Sequence, residues 1–162
     1  MLFFYFNYLF PLKLTLFYAI LHVMTNLPEE LITAYKNTRY FVQQHPNEWV
    51  IKINEFNSDF NTHLEANKVE EWAFITAYNP YSKELSINEN NELQQVLKQK
   101  LQHNNFKYWE GYGQGEGEWP AEPSVLVLNI SKEYAMQLAK NFKQNAFVYG
   151  KINCAPELVI AV

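Results

Sequence analysis

The chain has 162 residues, 48% of them apolar and 17% aromatic, enough to bury one sizeable core and too few for two independent domains. The formal net charge is −4, and the single arginine, Arg39, stands among 13 basic residues, so the positive footprint and bidentate phosphate forks of a duplex nucleic-acid binder are missing. The one cysteine, Cys154, excludes an internal disulfide framework and fits a reducing compartment such as the cytoplasm.

Residues 1–23 are apolar and aromatic, with Lys13 the only charge and Pro11 the only break. A membrane-spanning helix would place Lys13 near its centre, at about 2.5 to 3.5 kcal/mol, with no basic flank to orient it. A signal peptide needs a basic beginning and a small-residue cleavage site, and neither is present. The expectation is therefore a mis-assigned start or an apolar extension at 1–23, with translation beginning at Met24 and one globular domain over 24–162. The alternative is membrane anchoring through 1–23. Met24 is followed by Thr25 or Asn26 as a helix cap, Pro28 in the first turn, and Glu29 and Glu30 at the positive end of the helix dipole.

From Leu27 the apolar residues Leu31, Ile32 and Tyr35 recur at helical spacing. Two strands, 38–42 and 49–53, flank the turn signal His45-Pro46-Asn47. Asn57 and Ser58 cap a short helix over 57–67 that carries Phe60 and Leu64 inward. The stretch from Trp72 to Tyr78 reads as a strand apolar on both faces that ends in uncharged hydrogen-bonding groups. Thr76 and Asn79 are thus polar groups that need partners, and Asn79-Pro80 stops the strand.

Ser86-Ile87-Asn88-Glu89 is a capping box, and Leu93, Val96, Leu97 and Leu101 set the inward stripe of the helix it opens. Asn90 falls on that stripe, where an apolar residue would staple back onto Leu85. Two readings follow: Asn90 satisfies backbone groups around Asn79-Pro80, or it lines a pocket with Asn79. Residues 106–112 read as a strand, and 113–123 as a glycine-rich loop with the character of a lid. Phosphate binding by this loop is excluded, because no helix follows its glycines and Glu116, Glu118 and Glu122 would repel the ligand. Residues 125–130 form an apolar central strand, 131–142 a helix, and 146–149 and 158–162 the last strands.

This order predicts an α+β single domain: a mainly antiparallel or mixed sheet with about four helices packed on it. The candidate ligand-binding residues are Thr76, Asn79, Asn90, Trp119, Glu122, Ser124, Gln144 and Asn145. Amides supply paired donors and acceptors, Tyr78, Tyr112 and Trp119 supply stacking faces, and Glu122 supplies a fixed charge. Ser124 lacks the surroundings of a nucleophile, and Gln144-Asn145 serves equally as a helix-to-strand turn. His22, His45, His63 and His103 are scattered, so neither a metal nor a cofactor is expected.

Thr76-Ala77-Tyr78-Asn79-Pro80, Glu89-Asn90, Trp119 with Glu122-Pro123-Ser124, and Phe142-Lys143-Gln144-Asn145-Ala146, in this order, resemble the bacterial domain of unknown function family 3293. Ala34-Tyr35, Thr38 and Tyr40 resemble that family's opening, and the resemblance spans roughly residues 29–160. Lys143 stands where a glycine is expected, and Pro123 where another acid is common. The resemblance implies a small soluble bacterial protein and no reaction. The expected function is a cytoplasmic ligand-binding or protein-interaction domain whose partner is a small molecule or a protein. The alternative is an enzyme with Glu122 as general acid or base on an amide- or base-containing substrate.

Overall fold

The computed structural model describes residues 27–117 and 120–162. The proposed start at Met24, its caps Thr25 and Asn26, the apolar stretch 1–23, and Trp119 lie outside the described residues. Helix α1 (Glu29–Asn37) precedes a hairpin of β1 (Arg39–Gln44) and β2 (Asn47–Ile51). Helix α2 (Ser58–Ala66), strand β3 (Glu71–Ile75), a short turn of 3₁₀ type (Pro80–Ser82) and helix α3 (Ile87–His103) follow. Strands β4 (Tyr108–Gln114) and β5 (Glu122–Leu128), helix α4 (Lys132–Asn141), and strands β6 (Ala146–Lys151) and β7 (Glu157–Ile160) complete the chain.

The seven strands form one sheet in the order β2-β1-β4-β5-β3-β6-β7, with every pairing antiparallel. This is the α+β single domain that the sequence predicts. Side chains alternate across the sheet, so each strand feeds two cores. On one face Ala73, Ile75, Val125 and Val127 pack with Leu97 and Leu101 of α3 and with Ala135, Leu138 and Ala139 of α4. On the other face Trp72, Phe74, Leu126 and Leu128 pack with Phe60 and Leu64 of α2. Covering both faces of an antiparallel sheet explains why β3 and β5 read as continuous apolar runs.

Local chemistry sets most element ends. Asn57 caps α2 by accepting a bond from the Phe60 amide at 3.0 Å, and Ser131 caps α4 by accepting one from Tyr134 at 3.2 Å. The Ser86–Glu89 capping box closes as predicted, with Ser86 N–H donating to Glu89 Oε2 at 3.0 Å. At α1 the cap position is Pro28, which makes no side-chain bond.

Several strand bounds differ from the sequence reading, by two or three residues at most ends, and two of them bear on the site. Strand β3 stops at Ile75, earlier than Tyr78, because the Ala77 and Tyr78 amides are taken by side chains and not by a neighbouring strand. The loop read over 113–123 is shorter: Gly113 and Gln114 lie within β4, and Glu122 already belongs to β5. Gly111, in the strand as read, is required there by close approach, since a Cβ would come within 2.3 Å of the Phe41 carbonyl and 2.9 Å of the Phe74 ring.

Candidate functional site

The chain leaving β3 makes a tight turn between the ends of β5, α3 and β6. Asn79, Tyr81 and Ser82 have φ of 47°, 54° and 55°, all left-handed. Non-glycine residues take this conformation at a cost, so the turn survives only where its surroundings hold it.

The holding groups are the amides. Asn90 Oδ1 accepts from the Asn79 amide at 2.8 Å, while its Nδ2 donates to Asn79 Oδ1 at 2.9 Å and to the Leu85 carbonyl at 3.3 Å. Asn79 Oδ1 also accepts from the Leu85 amide at 3.1 Å. Asn90 thereby replaces a hydrophobic staple with hydrogen bonds to the loop behind it. Gln94, one turn further along α3, accepts from the Ala77 amide at 2.9 Å through Oε1. Thr76 donates to the Pro123 carbonyl at 2.8 Å and accepts from the Tyr78 amide at 3.0 Å, which ties the end of β3 to the start of β5.

The far side of the turn is held from the end of α4. Gln144 Nε2 donates to the Tyr78 carbonyl at 2.9 Å, the Tyr81 amide donates to the Lys143 carbonyl at 2.7 Å, and Asn145 Nδ2 donates to Ser82 Oγ at 2.9 Å. Ser82 Oγ is also 3.2 Å from the Tyr35 hydroxyl of α1. Lys143, in the position where a glycine is expected, has φ of 55°, the left-handed conformation that glycine adopts without strain.

Glu122 is half-buried at the start of β5, opposite Gly113. Asn79 Nδ2 donates to its Oε1 at 2.6 Å. Neither a second hydrogen-bond donor nor a cation within ion-pair distance reaches the carboxylate among the described residues. Its charge is felt nearby: burial, with Glu122 as a smaller contributor, pushes the Tyr40 phenol far above its usual range. Burial and then Glu122 also raise Tyr78, against the opposing pull of Lys98. The Tyr40 hydroxyl donates to the Tyr35 carbonyl at 2.7 Å, and the Tyr78 hydroxyl donates to Asn91 Oδ1.

Of the candidates named from sequence, Thr76, Asn79, Asn90, Glu122, Gln144 and Asn145 therefore gather on this turn. Ser124 is buried below it, donating to the Glu122 carbonyl at 3.0 Å. Tyr112 lies on the sheet face stacked on Phe41, with ring centroids 4.6 Å apart. Gln94 and Ser82 belong to the cluster and were missed. Gln94 was legible in principle, since it follows Asn90 by one helical turn on the stripe that leads to Leu97 and Leu101. Ser82 carries no such signal.

Two clefts beside α2 are lined by none of these candidates. Among the described residues no group of three or more His, Cys, Asp or Glu side chains could hold a metal ion, and no helix is long and apolar enough to cross a membrane. No curated protein and no solved structure matches the chain. Residues 75–147 match the family described as Protein of unknown function (DUF3293), which supports the resemblance carried by Thr76–Pro80, Glu89-Asn90, Glu122–Ser124 and Phe142–Ala146.

Proposed function

We propose that the protein is a cytoplasmic ligand-binding or protein-interaction domain whose recognition surface is the turn 76–82 together with Glu122. The observation that carries this reading is the state of the Glu122 carboxylate: one oxygen is fixed by Asn79, and the other has no partner among the described residues. A carboxylate held in one orientation with a spare acceptor suits a ligand that presents an N–H group. The strained backbone beside it supports the same reading, because such strain clusters where recognition requires a set geometry. On this view Asn79, Asn90, Gln144 and Asn145 are the scaffold, and Glu122 with the exposed Tyr81 ring meets the ligand.

Native mass spectrometry of the gently purified full chain tests the proposal by looking for a copurifying molecule. Glu122→Gln keeps an acceptor for Asn79 and removes the charge, so it should lose that molecule while melting like the parent. Retention by the variant overturns the reading. The same fixed carboxylate favours a second reading, a general base, and turnover abolished by Glu122→Gln with binding retained would select it.

A further inference from the structure

Helix α1 is held more lightly than the other α-helices. It buries no residue, whereas α2, α3 and α4 each bury three or more. Its apolar residues Leu31, Ile32 and Tyr35 are only half-buried, and Pro28 gives its start no side-chain cap. A helix of nine residues is marginal in water without tertiary support, so detachment of α1 and its melting are one event.

The end of this helix lies beside the Glu122 carboxylate. Glu122 stands opposite Gly113 in the β4–β5 register, and directly opposed residues project from the same face of a sheet. A Cβ added at Gly113 would lie 3.6 Å from Thr38 Cγ2 and 3.9 Å from the Tyr40 ring, so the space on that face is taken by Thr38, the C-cap of α1, and by Tyr40 just after it. Two side-chain bonds then fasten α1 to the segments that flank the carboxylate. The Tyr35 hydroxyl is 3.2 Å from Ser82 Oγ, in the turn that supplies Asn79, and Asn37 Nδ2 donates to Glu116 Oε2 at 3.2 Å, in the connection that leads from β4 to Glu122. Both bonds are exposed to water, where each contributes little and breaks readily.

We propose that α1 is a latch over the Glu122 carboxylate: loss of the Tyr35–Ser82 and Asn37–Glu116 bonds releases the helix and uncovers the carboxylate, and its return closes the site over a bound ligand. The ligand clause rests on the reading of Glu122 as the group that meets the ligand; the latch itself rests on the placement of α1.

The test labels carboxylates of the full chain with a water-soluble carbodiimide and glycine ethyl ester, read residue by residue by mass spectrometry, beside hydrogen exchange of α1. In the parent, Glu122 should react more slowly than the exposed Glu55. Tyr35→Phe with Asn37→Ala should speed both α1 exchange and Glu122 labelling about tenfold, the worth of two exposed hydrogen bonds. Labelling of Glu71, at the opposite end of β3 from the turn, and the melting temperature should stay as in the parent. Glu122 labelling that stays unchanged while α1 exchanges faster overturns the latch, as does α1 exchange indifferent to the two substitutions or a parent Glu122 that reacts as fast as Glu55. Because this readout needs no ligand, it separates the two ideas. A copurifying molecule retained by Glu122→Gln sinks the ligand reading alone, and labelling indifferent to α1 sinks the latch alone.

Discussion

Asn90 shows how one polar side chain on an apolar stripe becomes a structural requirement. It is 4% exposed, and its amide answers the Asn79 backbone, the Asn79 side chain and the Leu85 carbonyl. Asn90→Ala leaves those groups without their partner and should cost about 1 to 3 kcal/mol in urea unfolding. Lys143 tests the opposite case, a residue that its backbone does not suit. The left-handed conformation costs an L-residue about 1 to 2 kcal/mol, and glycine's greater unfolded-state freedom returns part of that, so Lys143→Gly should stabilise by about 0.5 to 1 kcal/mol. The carbonyl that receives the Tyr81 amide survives the change, and thermal melting of the two forms measures the gain.

Helix α3 is the element on which the candidate site rests, since Asn90 and Gln94 both project from it. Its start is fixed by reciprocal bonds: the Glu89 amide donates to Ser86 Oγ at 3.3 Å, and the Ser86 hydroxyl donates to Glu89 Oε2 at 2.6 Å. Those bonds hold the Glu89 carboxyl below its ordinary value, first through the Ser86 hydroxyl and then through its backbone amide. A lowered folded-state pKa contributes stability that is present above the ordinary carboxylate value of about 4.3 and fades as pH falls through the folded value. Ser86 is also the N-cap of this helix, and Ser86→Ala, by losing the cap, should destabilise by about 1 kcal/mol at neutral pH. The difference from the parent should shrink below about pH 4, as denaturation series at the two pH values would show. Strand β3, the other supporting element, owes its early end to the same neighbourhood, because Gln94 and Thr76 take amides that a longer strand would offer to β5 or β6.

For the whole molecule, burial on both faces of the central strands predicts a gradient of local stability. Val125, Leu126 and Val127 of β5 and Ala73 of β3 are fully buried or nearly so, whereas α1 buries no residue. Amide exchange should accordingly be slowest in β3 and β5 and fastest in α1. Protection of α1 equal to that of the centre would contradict this layering. The outer strands present charge at the sheet edges, Glu48 on β2 and Glu157 on β7, which discourages pairing with another sheet.

Periodicity and caps determined by themselves the α+β class, the helix opened by Ser86, the apolar character of the central strands, and the need of Thr76, Asn79 and Asn90 for partners. Those properties are local, set by the spacing of apolar residues and by side chains within a few positions of each element's end. Tertiary structure alone decided the strand order, in which β3 lies between β5 and β6 although β4 and α3 separate β3 from β5 in the chain. It also decided that Gly111 is pressed against Phe41 and Phe74, that Gly113 extends the same strand, and that most of the amides spend their hydrogen bonds on one strained turn. The physical reason is that a hydrogen bond's partner is fixed by distance in space. Asn79 meets Glu122 across 43 positions, and Gln144 meets Tyr78 across 66, only once the sheet has formed.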